Sequence, residues 1–158
     1  MSNTAITYQN VNPRLTPYLK DYASFHRTQG NQITHAIALP IVTITTLGML
    51  SQIVLWSPEV AGLLRIDLGS LLLVVGAAWY LFLDWKIAIP FLICGAGLYL
   101  MGRAMPLSWN FTLWISGWII QFIGHYYYEK KSPAFFKNLT HLMIGPLWLF
   151  VKLVGYAR

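Results

Sequence analysis

The sequence predicts an all-α integral membrane protein, and three observations carry that expectation. The chain of 158 residues is 56% hydrophobic and only 10% charged, with a mean hydropathy of +0.54. A soluble domain carries about 25% charged residues, so these charges are too few to cover a water-facing surface. The apolar residues also gather into about four runs of helical length, separated by short polar or basic segments, the pattern of helices that use lipid as solvent. The whole chain, residues 1–158, reads as one membrane-embedded domain without internal repeats or low-complexity tracts.

Taken in order, residues 13–29 place Leu15, Tyr18, Leu19, Tyr22, Phe25 and His26 near a helical period, with Pro13 and Pro17 close to the start, where a helix tolerates proline. They predict a juxtamembrane amphipathic helix ending at Gly30, with Asn31 opening the next segment. Residues 33–56 are almost continuously apolar, interrupted mainly by Pro40 and hydroxyl residues, and are long enough for a first span. Residues 57–67, with Pro58, Glu59, Arg65 and Asp67, read as a loop. The second and third runs, 68–83 and 87–101, are short for full spans. Interrupted by Asp84, Trp85 and Lys86, they fit a tight helical hairpin better than one long helix. The fourth run covers 107–124, and a polar stretch at 129–138 leads to a last amphipathic or partly inserted helix over 139–156.

Orientation follows from the basic residues, because cytoplasmic flanks retain Lys and Arg. Arg14, Lys20 and Arg27 precede the first run and Lys130, Lys131 and Lys137 follow the fourth, while the outer loops offer only Arg65 and Arg103. Four spans with both termini in the cytoplasm satisfy this bias. His26 and His35 then stand before the first span and His125 and His141 at and after the end of the fourth, so parity brings all the histidines to one interface.

Composition also removes function classes. The net charge is +6, but the basic residues form no continuous stripe with interleaved aromatics, so nucleic acid is not an expected partner; the lipid bilayer is. The first 35 residues hold no apolar run, and no cleaved signal is expected there. With Cys94 the single cysteine, an internal disulfide and any thiolate-rich metal site are excluded, and a metal must rest on imidazole and oxygen.

Imidazole binds Fe, Zn, Cu or Ni through one ring nitrogen while a carboxylate or carbonyl orients the other. If the fourth helix continues past the membrane, Gln121, His125 and Glu129 repeat every four residues and share one face, making Glu129 a candidate ligand, orienter or proton acceptor. Tyr22 and His26, and Asn31 and His35, repeat the same spacing. Glu129 and Tyr22 are therefore catalytic candidates beside the histidines, and Lys130, with Lys131 or Arg27, is a candidate to hold a substrate carboxylate. Two-metal membrane desaturases need more histidines in tighter boxes, so one metal is the most these residues support.

The segments Tyr22-Ala-Ser-Phe-His26, Asn31-Gln-Ile-Thr-His35 with Pro40, and Gln121-Phe-Ile-Gly-His125 with Glu129 and Pro133-Ala134 together resemble the Mpo1-like family, from about Tyr18 to the His141-Leu-Met-Ile-Gly-Pro-Leu-Trp segment, whose ending looks like the bacterial branch. The resemblance implies a membrane dioxygenase that uses Fe(II) and O2 for α-oxidation of 2-hydroxy fatty acids, shortening the chain by one carbon. It implies metal-ligand or essential roles for His26, His35 and His125, with His141 matching the bacterial-type ending, and a bacterial inner-membrane location. Two readings compete with it: a small membrane scaffold or transport subunit with non-catalytic histidines, and a zinc-dependent lipid hydrolase. The residues leave substrate chain length, oligomeric state and the choice of three or four ligands open.

Overall fold

The computed structural model describes residues 8–57 and 65–157. A short helix, α1 (Thr16–Ser24), precedes a long one, α2 (Gln29–Ser51), whose first turn is capped by the Thr28 side chain accepting from the Asn31 N–H. The first helix thus ends earlier than its pattern predicts, and α2 begins at Gln29. His26 lies in the connection between them and Asn31 already inside α2.

Beyond α2 the expected first span does not run on to Trp56. Two short strands, β1 (Val54–Trp56) and β2 (Ile66–Asp67), pair antiparallel, so the fold is not wholly helical. The β-branched and aromatic residues of β1 suit a strand. The turn expected at Pro58 and Glu59 lies outside the described residues.

The next element, α3 (Leu68–Ala104), opens on a reciprocal cap between Asp67 and Ser70 and breaks at Asp84, whose backbone is extended. The break is a fold-back. Tyr80 and Phe91 stack edge to face at 5.1 Å, and a Cβ on Gly95 would stand 3.6 Å from the Leu73 side chain. A straight helix would hold Leu73 and Gly95 about 33 Å apart. Asp84 makes the turn by starting the second arm: its carboxylate accepts from the Lys86 N–H at 3.2 Å, as an N-cap does. It also accepts from the Asn12 N–H and the Tyr156 hydroxyl, tying both ends of the described chain to the hairpin tip.

After α3 comes α4 (Leu107–Ile123), which passes into a π-helical segment, Gly124–Glu129, then a single 3₁₀ turn, Ala134–Phe136, and the last helix, α5 (Thr140–Leu153). Helix α5 is a core element: Ile144, Leu147 and Trp148 are buried in one cluster with Leu15, Leu19 and Tyr22 around α1 and Tyr80, Leu83 and Ile87 of the hairpin.

Two helices, α2 and α3, are long and apolar enough to cross a membrane. The expectation of about four spans is not met as such, because the second and third runs belong to one folded-back element and α4 has only 17 helical residues. Large apolar side chains cover the outside of the helices: Val74 is 67% and Ile93 71% exposed. Helix α2 is the axis, with the hairpin and α4 each packed along it. At one pole Gly102 touches α2 so closely that a Cβ there would stand 2.9 Å from the Gly48 nitrogen. The opposite pole carries the histidines.

Candidate metal centre

Three histidines from three separate segments meet at that pole. His26 comes from the α1–α2 connection, His35 from the second turn of α2 and His125 from the π-helical segment. Their rings sit edge to face at centroid distances of 4.5 Å (His26–His35), 4.9 Å (His26–His125) and 4.7 Å (His35–His125), and all three are buried. One ring nitrogen from each lies within 4.8 Å of the others.

Local backbone chemistry sets the tautomers. His26 Nδ1 is 2.7 Å from the Tyr22 carbonyl and His35 Nδ1 3.0 Å from the Asn31 carbonyl, both one helical turn back. A carbonyl only accepts, so each Nδ1 carries the proton and each Nε2 keeps its lone pair. Burial, reinforced by the neighbouring His35, pushes the pKa of His26 down to about 2 against the opposing pull of the Tyr22 carbonyl, so this imidazole is neutral at physiological pH. His26 Nε2 and His125 Nδ1 are buried with no hydrogen-bond partner among the described residues. Buried polar atoms of this kind are satisfied in folded proteins by a bound water or ion, and two of them on one cluster of imidazoles suit an ion.

The donor set fits a metal ion. Bonds of about 2.1 Å hold three ligands of one ion roughly 3.0–3.6 Å apart, so nitrogens within 4.8 Å of one another reach a shared ion by a contraction of somewhat more than an ångström. Neutral imidazoles whose second nitrogen donates to a carbonyl are the usual arrangement at such sites.

Glycine makes the approach of His125 to His35 feasible. A Cβ on Gly124 would stand 2.6 Å from Asn31 Oδ1 and 3.3 Å from His35 Nδ1, with Thr34 Oγ1 closer still. The helix also changes character here. The predicted face of Gln121, His125 and Glu129 requires an α-helix through residue 129, whereas the π turn starts at Gly124 and changes the register. Such turns inside helices often mark functional sites. As a result Gln121 and His125 line the cavity, while Glu129 turns toward the start of α2.

There Glu129 accepts from the Arg27 N–H at 3.1 Å, the Thr28 N–H at 3.0 Å, the Thr28 hydroxyl at 2.9 Å and the Asn31 side-chain amide at 3.3 Å. Burial alone pushes its carboxyl up, but the bonds from Thr28, Arg27 and Asn31 together hold it below its ordinary value. Glu129 is thus a clasp at a helix N-terminus, where negative charge is favoured, and it joins the segment bearing His125 to those bearing His26 and His35.

The remaining candidates divide. Tyr22 is buried, stacks on His26 at 4.1 Å and lines the cavity. His141 lies 5.5 Å from the Tyr22 ring and lines the same cavity from α5, outside the three-histidine set. Its Nε2 donates to Asp21 at 2.7 Å, and its Nδ1 is buried without a partner. Asp21 is an orienting residue that sequence reasoning missed, since 120 positions separate it from His141. Lys130 is exposed, in a left-handed conformation with φ 55° that closes the π segment, and does not line the cavity. Arg27 and Lys131 are exposed too.

From the histidines an apolar cavity of about 510 Å³ runs along α2, between α4 and the hairpin. That volume is in the range of small-molecule sites. Nearest the histidines Tyr22 and Gln121 are among its lining residues; farther along, Thr43 donates to the Leu39 carbonyl and Thr46 accepts from Trp114.

The model of the family described as "2-hydroxy-palmitic acid dioxygenase Mpo1-like" matches residues 14–157. The chain belongs to the Mpo1-like family. It is also similar to the 2-hydroxy-palmitic acid dioxygenase MPO1 of Saccharomyces cerevisiae, at 26% identity over 136 residues covering 83% of this chain and 74% of the yeast protein. No solved structure matches it. The matched region takes in every histidine of the centre and all of the cavity-lining residues.

Proposed function

We propose that this member of the Mpo1-like family is a membrane dioxygenase that shortens 2-hydroxy fatty acids by one carbon, with Fe(II) held by His26, His35 and His125 at the mouth of the acyl cavity. The observation that carries the reading is the joining of two features: a triad of neutral imidazoles with uncommitted nitrogens, and an apolar cavity lined at one end by those three residues. A metal site alone suits many reactions, and an apolar cavity alone suits many ligands. Together they suit an amphiphile whose head is the reactive end.

Fe(II) with open positions would supply a binding site for the 2-hydroxy carboxylate and for O2, together with the redox capacity that zinc lacks. The reaction balances as 2-hydroxy acid plus O2 giving the shorter acid, carbon dioxide and water.

The chain's own residues supply the rest. The Tyr22 and Asn31 carbonyls keep His26 and His35 in the tautomer that presents Nε2. Gln121 and Tyr22 line the head of the cavity, and their amide and hydroxyl would serve as hydrogen-bond donors to the substrate head. Burial raises the Tyr22 pKa, so its hydroxyl keeps its proton and acts as a donor. His141, held by Asp21, is a fourth ligand or a proton carrier beside the triad. Glu129 positions and does not react. Lys130, being exposed, meets the substrate head on its way in rather than in the cavity. The apolar walls exclude water from the acyl tail and hold it in a place it prefers to water by about 0.8 kcal/mol per methylene.

A membrane setting follows from the same features. The two span-length helices and the apolar side chains exposed along α3 and α4 form a surface that lipid would cover. The α2–α3–α4 bundle then crosses the bilayer, with the histidine pole and both termini on the cytoplasmic side.

The test is metal content and O2 uptake on anaerobically purified protein, wild type beside His35→Ala/His125→Ala. About one iron per chain, lost in the double variant, with O2 consumed on addition of 2-hydroxypalmitate, is the expected result. Turnover retained by the double variant would falsify the assignment. Stoichiometric zinc without O2 uptake would move it to hydrolysis, and no metal after Fe(II) reconstitution would move it to the scaffold reading.

A further inference from the structure

The cavity has a floor as well as a mouth, and we infer that this floor, together with two glycines in the wall, sets the length of acyl chain that the protein accepts. The inference rests on the acyl-acid reading above and deepens it.

The lining residues fall in layers that lead away from the histidines. On α2 they run from His35 through Leu39 and Thr43 to Leu47, and a rise of 1.5 Å per residue puts Leu47 roughly 18 Å from His35. On α4 they run from Gln121 through Trp118 to Trp114. The two series end at the same depth, where Trp114 Nε1 donates to Thr46 Oγ1 at 3.1 Å and fixes the indole beside α2. Beyond it the helices close. A Cβ on Gly48 would stand 2.6 Å from Asn110 Oδ1, and the Asn110 amide donates to the Gly102 carbonyl at 2.9 Å. The cavity is therefore blind at this end, and with the Thr46 hydroxyl engaged by Trp114 the floor suits a terminal methyl.

Midway, Gly76 and Gly95 contribute to the wall from the two arms of the hairpin. Added Cβ atoms would make ordinary contacts, 3.5 Å from Tyr80 at Gly76 and 3.6 Å from Leu73 at Gly95. Their lack of a side chain is thus not demanded by helix packing, as it is at Gly102. It leaves the lumen open for the chain to pass.

The experiment measures displacement of a fluorescent fatty acid from detergent-purified protein by a homologous series of saturated fatty acids, with and without the 2-hydroxyl, and turnover of the same 2-hydroxy acids in parallel. Wild type is compared with Gly76→Leu, Gly95→Leu and Trp114→Ala. Each buried methylene contributes about fourfold in affinity, so excluding two or more lowers the ratio of long-chain to short-chain affinity by about tenfold or more in each leucine variant. Trp114→Ala moves the optimum to longer chains. Should a leucine variant fail to fold, this opposite shift carries the test.

The same chain-length profile in wild type and Trp114→Ala, or no preference for length in wild type, overturns the inference. Turnover that persists with an unchanged profile removes the ruler and leaves the dioxygenase. Shifted binding profiles without turnover in Fe(II)-loaded protein keep the ruler and remove the dioxygenase.

Discussion

The two poles of the α2 bundle are built from similar materials and finished differently. At the distal pole, close glycines bring the backbones together and most polar groups find partners, with Asn110 Oδ1 buried without one. Asp67 caps α3 and accepts from the Tyr99 hydroxyl at 2.7 Å and from Arg65, and the Asn110 amide closes on the Gly102 and Met105 carbonyls. At the histidine pole, Gly124 makes room for the Asn31, Thr34 and His35 side chains of α2, and His26 Nε2, His125 Nδ1 and His141 Nδ1 are buried without partners. Helix packing explains the first pole but for that one acceptor. The second carries a desolvation cost of about 1–3 kcal/mol per orphaned group, which folding alone does not reward and a bound metal would offset.

The sharpest break of this contrast is the loss of two imidazoles. In His35→Ala/His125→Ala, metal and turnover fall below detection while the melting temperature of the metal-free protein stays within a few degrees of wild type, because relief of the buried, unpartnered His125 Nδ1 offsets part of the packing lost. Elemental analysis and thermal melting read the two separately, and a collapse of the metal-free fold would mean that the histidines are structural.

Gly102→Ala does the converse. Its Cβ would press on the α2 backbone, and overpacking of this kind costs about 1–3 kcal/mol. Reduced thermal stability with unchanged metal per folded chain is expected; loss of metal at full stability would show the poles to be coupled.

Asp21→Asn tests the arm between. With the carboxylate gone, the hold on His141 weakens, and an effect of about tenfold on kcat/KM is expected at the low end for lost orienting partners. An unchanged kcat/KM would remove His141 from the reaction.

The smallest effect is that of Glu129→Gln, about 1 kcal/mol of stability at neutral pH for a partly exposed charged hydrogen-bond set. Because the native carboxyl is held below its ordinary value, the stabilisation is fully present above the unfolded pKa and is lost as pH falls through the lowered native one. The melting difference between wild type and variant should therefore be flat near neutrality and shrink on acidification. A difference that grows toward acid would contradict the clasp.

Much of the architecture was legible in local pattern. The break at Asp84 could be read because a charged residue between two short apolar runs is a turn whatever its surroundings, and the helical hairpin is there. The β1–β2 ribbon was not legible, because residues 53–56 continue an apolar run and only pairing with residues 66–67 decides between helix and strand. Nor was the π turn, since nothing at Gly124 marks it until α2 is seen pressed against it. The face predicted for Gln121, His125 and Glu129 failed for that reason.

The sequence by itself determined the apolar character of the helices, the inventory of metal-binding groups and, through residues 14–157, membership of the Mpo1-like family. These depend on residue type and order alone. Tertiary structure decided that three of the histidines cluster while His141 stands beside them, that Glu129 clasps a helix start, and that an apolar cavity begins at the imidazoles. Each of these depends on contacts between residues as many as 120 positions apart, and hydrophobic periodicity, which orients a side chain only relative to its own helix, carries no information about them.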